Sequence, residues 1–398
     1  MKFYYENSDF ENTPNGGFRK IGAPSSLDWV YGWKNPILEI NNYEPIIWNF
    51  SVTCELRVDV LNNNIEYFNN VFKTVKENPN VRLVFSSFQE GDHQYSFILK
   101  LIELKNKFSL NKEQITVITI NKICLNYSHE LNIIYKPFLL GYLSSDYSKV
   151  KDSPFLHNES KMGVCTTDEY LTEPKTNFFL CYSKNSTRDH RIKTILWLIK
   201  NDLIKDTLLS TLIKDEHRRF YNSTEDELNG LSNYFEDFLK MGYNVLDWDF
   251  TKDGNNEFSY LRYNTISHYS STIFNIVLET TFEENSLNLT EKSFKPLANC
   301  QPFLIIGDPF ANKTLLDFGF ELYDDLIDYS FDEIKDNDKR LNAVFKEIKR
   351  IKNLGEKHLI DWYFKNKEKI EKNKTTLFTY SYNKMVDEVI LELKELTQ

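Results

Sequence analysis

Apolar residues in this chain recur at two different intervals, and the intervals alternate. In 64–77 they fall at Ile65, Phe68, Val71, Phe72 and Val75, one face of a 3.6-residue repeat, which predicts a helix. Val81–Phe88 is a short continuous apolar run and predicts a buried strand, as do Ile46–Val52 and Gln114–Ile120. A helix predicted over Tyr95–Asn106 separates the last two strands, at a length that suits a right-handed crossover between parallel neighbours. This β-α-β alternation predicts a parallel sheet with helices packed on it.

The alternation returns after a loop-rich stretch at 145–175. Asn177–Tyr182 predicts a strand, and Arg188–Asn201 a helix with Ile192, Ile195, Leu196 and Ile199 on one face. Glu225–Met241 predicts another helix. Two apolar runs follow, Phe274–Leu278 ending in Glu279 and Phe303–Ile306 ending in Gly307. Between them Thr290-Glu291-Lys292 opens a short helix-like segment with Thr290 as N-cap. Pro296 lies five residues past Glu291, so either the first turn is irregular or the helix begins at Pro296. Asn312–Phe318 reads as a short helix. Charged amphipathic helices are expected over Glu333–Lys352, Leu354–Glu371 and Tyr382–Leu396, and the acidic run Tyr323–Asp338 as a solvated face. A chain of 398 residues is too long for one ordinary core, and the fold class is α/β with two domains.

Composition narrows the function. Hydrophobic residues are 41% and charged residues 27%, as in a globular chain. Aromatics reach 15% and are expected to fill the core where Ala and Gly are scarce. The net charge of −10 disfavours non-specific nucleic-acid binding, which needs cations on phosphates. The five cysteines are scattered, odd in number and without a CxxC, and read as buried free thiols in a reducing compartment. The opening MKFYYENSDF has no apolar core of a secretory signal, and no run approaches the roughly 18 apolar residues of a membrane helix. A soluble, cytoplasmic protein is expected. The seven histidines show no H-x-x-x-H or H-E-x-x-H spacing, so no metal site is read from them. Neither a P-loop, a G-x-G-x-x-G nor a G-x-S-x-G elbow is present.

The segment Phe274–Pro309 carries the strongest chemistry. In open α/β sheets, ligands bind beyond the carboxyl ends of the strands. There a lysine and helix-terminal N–H groups can hold phosphate, and a carboxylate can hold ribose hydroxyls. The motif LETTFEENSLNLTEKSFKPLANCQPFLIIGDP resembles the C-terminal donor-binding signature of the α-1,3-fucosyltransferase family and its viral relatives. Glu279 matches that signature's first acid, Thr290-Glu291-Lys292 its T-E-K, Phe294 and Lys295 its aromatic and basic positions, and Gln301–Gly307 its closing strand. Upstream, FFLCYSKNSTRDHRIKTILWL resembles the family's arginine-bearing helix, with Arg191 the best positional match and Arg188 the next.

The resemblance implies a GT-B-like pair of Rossmann-like domains facing across a cleft. Residues 1–150 would form an acceptor domain, 151–175 a linker or active-site loop, 176–335 a donor-binding domain and 336–398 C-terminal helices. It implies sugar transfer from a nucleotide-sugar donor to a glycan or other hydroxyl acceptor, with no cofactor beyond that co-substrate. Glu291 would hold the ribose, Lys292 the phosphate and an arginine the diphosphate. The sequence departs from the family where Leu287-Asn288 stand in place of an aspartate and a tyrosine, and where F-E-N-S reads Leu278-Glu279-Thr280-Thr281. The base and sugar of the donor are therefore not carried over.

An inverting transferase needs a general base near the acceptor hydroxyl. Glu90 is the first choice, with Asp92 and His93 next, in the loop after the Val81–Phe88 strand. Three alternatives stand beside this reading. One is a metal-dependent glycosyltransferase using Asp247 and Asp249 of a D-x-D triplet. The second is a DNA-modifying glycosyltransferase with a local basic groove. The third is a non-catalytic nucleotide- or glycan-binding protein.

Overall fold

A computed structural model describes residues 2–5, 46–51, 58–63, 65–86, 94–137, 140, 164–185, 188–212, 231–240, 266–284, 286–380 and 382–395. The chain divides into two compact units. The first comprises Met1–Gly141 with Asn285–Asn288 and Ser381–Gln398, and the second Tyr142–Glu284 with Leu289–Tyr380.

In the first unit, five parallel strands lie in chain order: β1 (Lys2–Tyr5), β2 (Ile46–Ser51), β3 (Val81–Ser86), β4 (Ile115–Thr119) and β5 (Asn132–Tyr135). Helices α1 (Ile65–Glu77) and α2 (Gln94–Lys107) supply the crossovers around β3. The 3.6-residue stripe read from the sequence is the buried one, with Phe68, Val71, Phe72 and Val75 all inside. Aromatic rings do fill this core. Phe68, Phe72, Phe85 and Phe97 are fully buried, and Phe85 meets Phe97 edge-on at 5.6 Å. Each such burial contributes about 1.5–3 kcal/mol. The helix Tyr382–Glu395 joins this unit through Lys136, whose ammonium lies 2.9 Å from both Glu388 and Glu392.

The second unit has a parallel sheet of β6 (Asn177–Asn185), β7 (Thr207–Leu212), β8 (Thr272–Leu278) and β9 (Phe303–Ile306), in the spatial order β7-β6-β8-β9. The chain steps outward from β6 to β7 and then crosses back to place β8 on the other side of β6. Strand order therefore reverses between β6 and β8. Every residue of β8 and β9 is buried, which explains why both read as unbroken apolar runs. Helix α3 (Asp189–Lys200) follows β6, and α4 (Glu291–Ala298) lies between β8 and β9. Three longer helices, α5 (Asn337–Leu354), α6 (Glu356–Lys365) and α7 (Lys367–Thr379), follow β9 in the same unit. Trp197 of α3 stacks on Phe345 of α5 with centroids 4.5 Å apart.

The structure refines the sequence reading in places. The helix predicted over Leu354–Glu371 is two helices, because Gly355 ends α5 at a φ of 80° and the chain breaks again at Asn366. Pro296 sits inside α4, which starts at Glu291, so position 296 supplies no N–H to the Lys292 carbonyl. The run Tyr323–Asp338 is not a solvated face. Tyr323, Leu326, Ile327, Tyr329, Phe331 and Asp332 are buried in it. Among the described residues, no helix is long and apolar enough to cross a membrane. Cys124, Cys165, Cys181 and Cys300 are free and buried, and burial pushes the Cys181 thiol up to about 12.

Candidate donor-binding site

Open α/β sheets bind ligands beyond the carboxyl ends of the strands, at the point where strand order reverses, and here it reverses between β6 and β8. The loops leaving β6 and β8 there lead to the N-termini of α3 and α4. Helix N-termini present unpaired N–H groups and a partial positive charge. The donor-side residues singled out from the sequence, Arg188, Arg191, Glu279, Thr290, Glu291, Lys292 and Lys295, lie on these two loops and helices.

Glu279 is the residue directly after β8, and its side chain is fully buried. One carboxylate oxygen accepts the Thr290 N–H at 2.9 Å and the Ser293 hydroxyl. The other accepts the Thr290 hydroxyl at 2.7 Å and the Thr280 N–H at 3.1 Å. A carboxylate has about four lone-pair sites, and these bonds occupy them all. Glu279, expected among the donor contacts, is therefore a pin that locks the start of α4 to the end of β8. Gly307 makes the approach possible. A Cβ there would stand 3.2 Å from Glu279 Cβ and 3.3 Å from Ala311 Cβ.

Thr290 caps α4 as predicted, its hydroxyl accepting the Lys292 N–H at 3.4 Å. The Lys292 ammonium donates to the Thr290 and Thr280 hydroxyls at 3.1 and 3.2 Å and to the Glu291 carboxylate at 3.1 Å. It is half-buried, with a quarter of its side chain exposed. Glu291 and Lys295 are buried and lie four residues apart, on one face of α4.

Arg191 lies in the first turn of α3 and is buried. Its guanidinium donates to the Glu279 carbonyl through Nε at 3.1 Å and Nη2 at 2.8 Å, and to the Leu278 carbonyl at 3.3 Å. These bonds fix the end of β8. Arg188, the N-cap of α3, is half-buried. Its neighbour His190 bonds the same Glu279 carbonyl through Nε2 at 2.9 Å, and burial beside Arg191 holds its pKa down at about 3. The ring is therefore neutral, and Nε2 carries the proton it donates.

Several residues of this site were not singled out from the sequence. His190 stacks on Phe282 with centroids 5.0 Å apart, and the Arg340 guanidinium lies 4.1 Å from the centroid of that same ring. Arg340 comes from α5 and donates to the Gly307 carbonyl at 3.2 Å. Asp308 accepts the Thr281 hydroxyl at 2.5 Å and the Glu283 N–H at 2.8 Å, tying the β8 and β9 loops together. The adjacency of His190 to Arg191 and of Asp308 to Gly307 was visible in the chain. Arg340, inside a charged helix, gave no signal.

Glu90, Asp92 and His93 lie outside the described residues, as do Asp247 and Asp249. Among the described residues, no group of three or more His, Cys, Asp or Glu is placed to hold a metal ion.

No family model matches this chain, and no curated protein matches it. The resemblance to α-1,3-fucosyltransferases thus gains no support from either comparison. Among solved structures, the chain is similar to an UDP-forming alpha,alpha-trehalose-phosphate synthase from Burkholderia xenovorans. The two share 8% sequence identity at a TM-score of 0.41, over 90% of this chain and 75% of the other.

Proposed function

We propose that this protein is a glycosyltransferase that takes a sugar from a nucleotide-sugar donor held at the carboxyl end of the β6–β9 sheet. The observation that supports it is the coincidence of three features at one place. These are the reversal between β6 and β8, the N-termini of α3 and α4, and the cations Arg188 and Lys292 on the residues that begin those helices. The leaving nucleoside diphosphate gains negative charge as the glycosidic bond breaks, and preorganised cations and N–H dipoles stabilise that charge. Lys292 would act as a point charge on the phosphate and Arg188 as a fork on it. Glu291 would hold the ribose hydroxyls. Arg191, His190 and Glu279 act one step back, fixing the loop that carries these groups, and Lys295 adds positive charge on the same helix. The acceptor would be a glycan or another hydroxyl compound, and Glu90, Asp92 or His93 the candidate general base if the reaction inverts. On this reading the diphosphate charge is met by side chains, and transfer persists in a chelator.

The test is isothermal titration of the full chain with UDP, GDP, CMP and ADP, followed by transfer assays with the sugar forms of whichever binds. One nucleotide is expected to bind and to raise the melting temperature. Lys292→Ala should weaken it about tenfold to a hundredfold, the worth of a charged hydrogen bond. If no nucleotide binds, or if K292A binds as tightly as the wild type, the donor site is misassigned. Loss of transfer in EDTA, restored by Mn²⁺, would favour a metal-dependent enzyme using Asp247 and Asp249.

A further inference from the structure

Phe310 combines two costly features in the loop after β9. Its φ is 67°, a left-handed conformation that a bulky L-residue rarely adopts, and its side chain is 40% exposed. Part of the residue is left uncovered and so accessible to a ligand. The loop around it is held by an unbroken series of bonds. The N–H of Phe310 donates to the Asp332 carbonyl at 2.7 Å, and that of Ala311 to the Asp308 carbonyl at 3.1 Å. The N–H groups of Asn312 and Lys313 donate to the buried Asp332 carboxylate at 3.1 and 2.9 Å. The Thr314 N–H returns to the Phe310 carbonyl at 2.9 Å. Every N–H from Phe310 to Thr314 is thus committed, and the loop is a rigid mount. Strain held in place by its surroundings is a feature of binding and active sites.

The mount is on the rim of the candidate site. Asp308, two residues before Phe310, bonds Thr281 and Glu283 of the loop that follows β8. Gly307 lies against Glu279. The diphosphate is assigned to the point of reversal between β6 and β8, and β9 is the next strand outward, roughly 4.8 Å beyond β8. A ribose bridges a step of that order and sets the base over the β9 loop. We propose that Phe310 is the stacking platform for the nucleobase of the donor. This rests on the nucleotide-sugar reading above. An aromatic face accepts any base, so the ring would supply affinity and leave the choice of base to other groups.

The experiment titrates the full chain with UDP, GDP, CMP, ADP and inorganic pyrophosphate, for the wild type and for Phe310→Gly, Phe310→Leu and Phe310→Trp. F310G removes the ring and relieves the left-handed backbone, so its melting temperature should equal or exceed that of the wild type. Its affinity for the nucleotide that the wild type binds should fall about tenfold, while pyrophosphate binds unchanged. F310W should bind that nucleotide near the wild-type level, and F310L should behave as F310G does, with the backbone geometry of Phe310 retained. Equal nucleotide binding by F310G and the wild type overturns the platform and leaves the donor site standing. A parallel loss of pyrophosphate binding also overturns it, since the ring would then be acting through the phosphate pocket. If the wild type binds none of the four nucleotides, the platform and the donor site fall together.

Discussion

Glu279 holds Thr290 twice, accepting its backbone N–H at 2.9 Å and its hydroxyl at 2.7 Å. The residue just past one strand thereby holds the N-cap of the next helix, eleven residues later. The cap of α4 is doubled, with Thr290 serving the helix and Glu279 serving Thr290. Lys292 is the residue this arrangement presents, because its ammonium rests on the Thr290 and Thr280 hydroxyls.

Replacing Glu279 by Gln turns one oxygen into an N–H₂ group facing two donors. The backbone N–H facing that oxygen loses its buried acceptor, and the facing hydroxyl must turn to accept from the new N–H₂. We expect destabilisation of about 2–4 kcal/mol, read as a shift of the urea midpoint. Nucleotide binding should fall in step, since the start of α4 is released. A variant with wild-type stability would show that the carboxylate does not pin the helix.

Gly307→Ala tests the same junction from the other side. The added methyl would meet Glu279 Cβ and Ile305 Cγ2 at 3.2 Å, and neither can retreat far. Overpacking of this kind costs about 1–3 kcal/mol. Thermal denaturation should show the loss, and a melting temperature equal to the wild type's would mean that the loops separate freely.

His190 makes stability depend on pH. Its folded pKa is about 3, below the roughly 6.5 of an unfolded histidine. Between those values the unfolded chain binds more protons, so stability rises with pH through that window and falls as pH drops from 6.5 toward 3. The slope contributed is at most about 1.4 kcal/mol per pH unit. His190→Gln keeps an N–H donor and cannot take up the proton. Its stability curve between pH 7 and 5 should be flatter than the wild type's, and curves of equal slope would place His190 in solvent.

Burial holds the thiols of Cys124, Cys165 and Cys181 up at about 12. They should react with a disulfide reagent at neutral pH only after unfolding. A fast native-state reaction, localised to any of these by peptide mapping, would contradict their burial.

Much of this could be read from the chain. The stripe Ile65–Val75 and the runs Phe274–Leu278 and Phe303–Ile306 declared a helix and two buried strands, because periodicity and continuity of apolar residues follow directly from burial. Thr290 announced a helix start. The strands Asn132–Tyr135 and Thr207–Leu212 went unread, being short and without alternation. Roles were harder to read than places. Glu279 and Arg191 lie where the sequence puts them, and yet their polar atoms turn inward, onto Thr290 and onto the carbonyls of β8. A motif fixes which residues approach one another and leaves open which of their atoms face a ligand. The ordering β7-β6-β8-β9 depends on which strands pair, and no local pattern encodes that.

Asn312 has a consequence for association. β9 borders the sheet, and an uncovered border strand invites a strand from another molecule. The Asn312 carboxamide accepts the Ile305 N–H at 2.9 Å and donates to the Ile305 carbonyl at 3.0 Å, as a neighbouring strand would. One side chain, itself held by Asp332 at 2.8 Å, thereby occupies the position where an intruding chain would begin to pair. On the β9 side the sheet is closed to growth twice over, by this amide at Ile305 and by the burial of the whole strand.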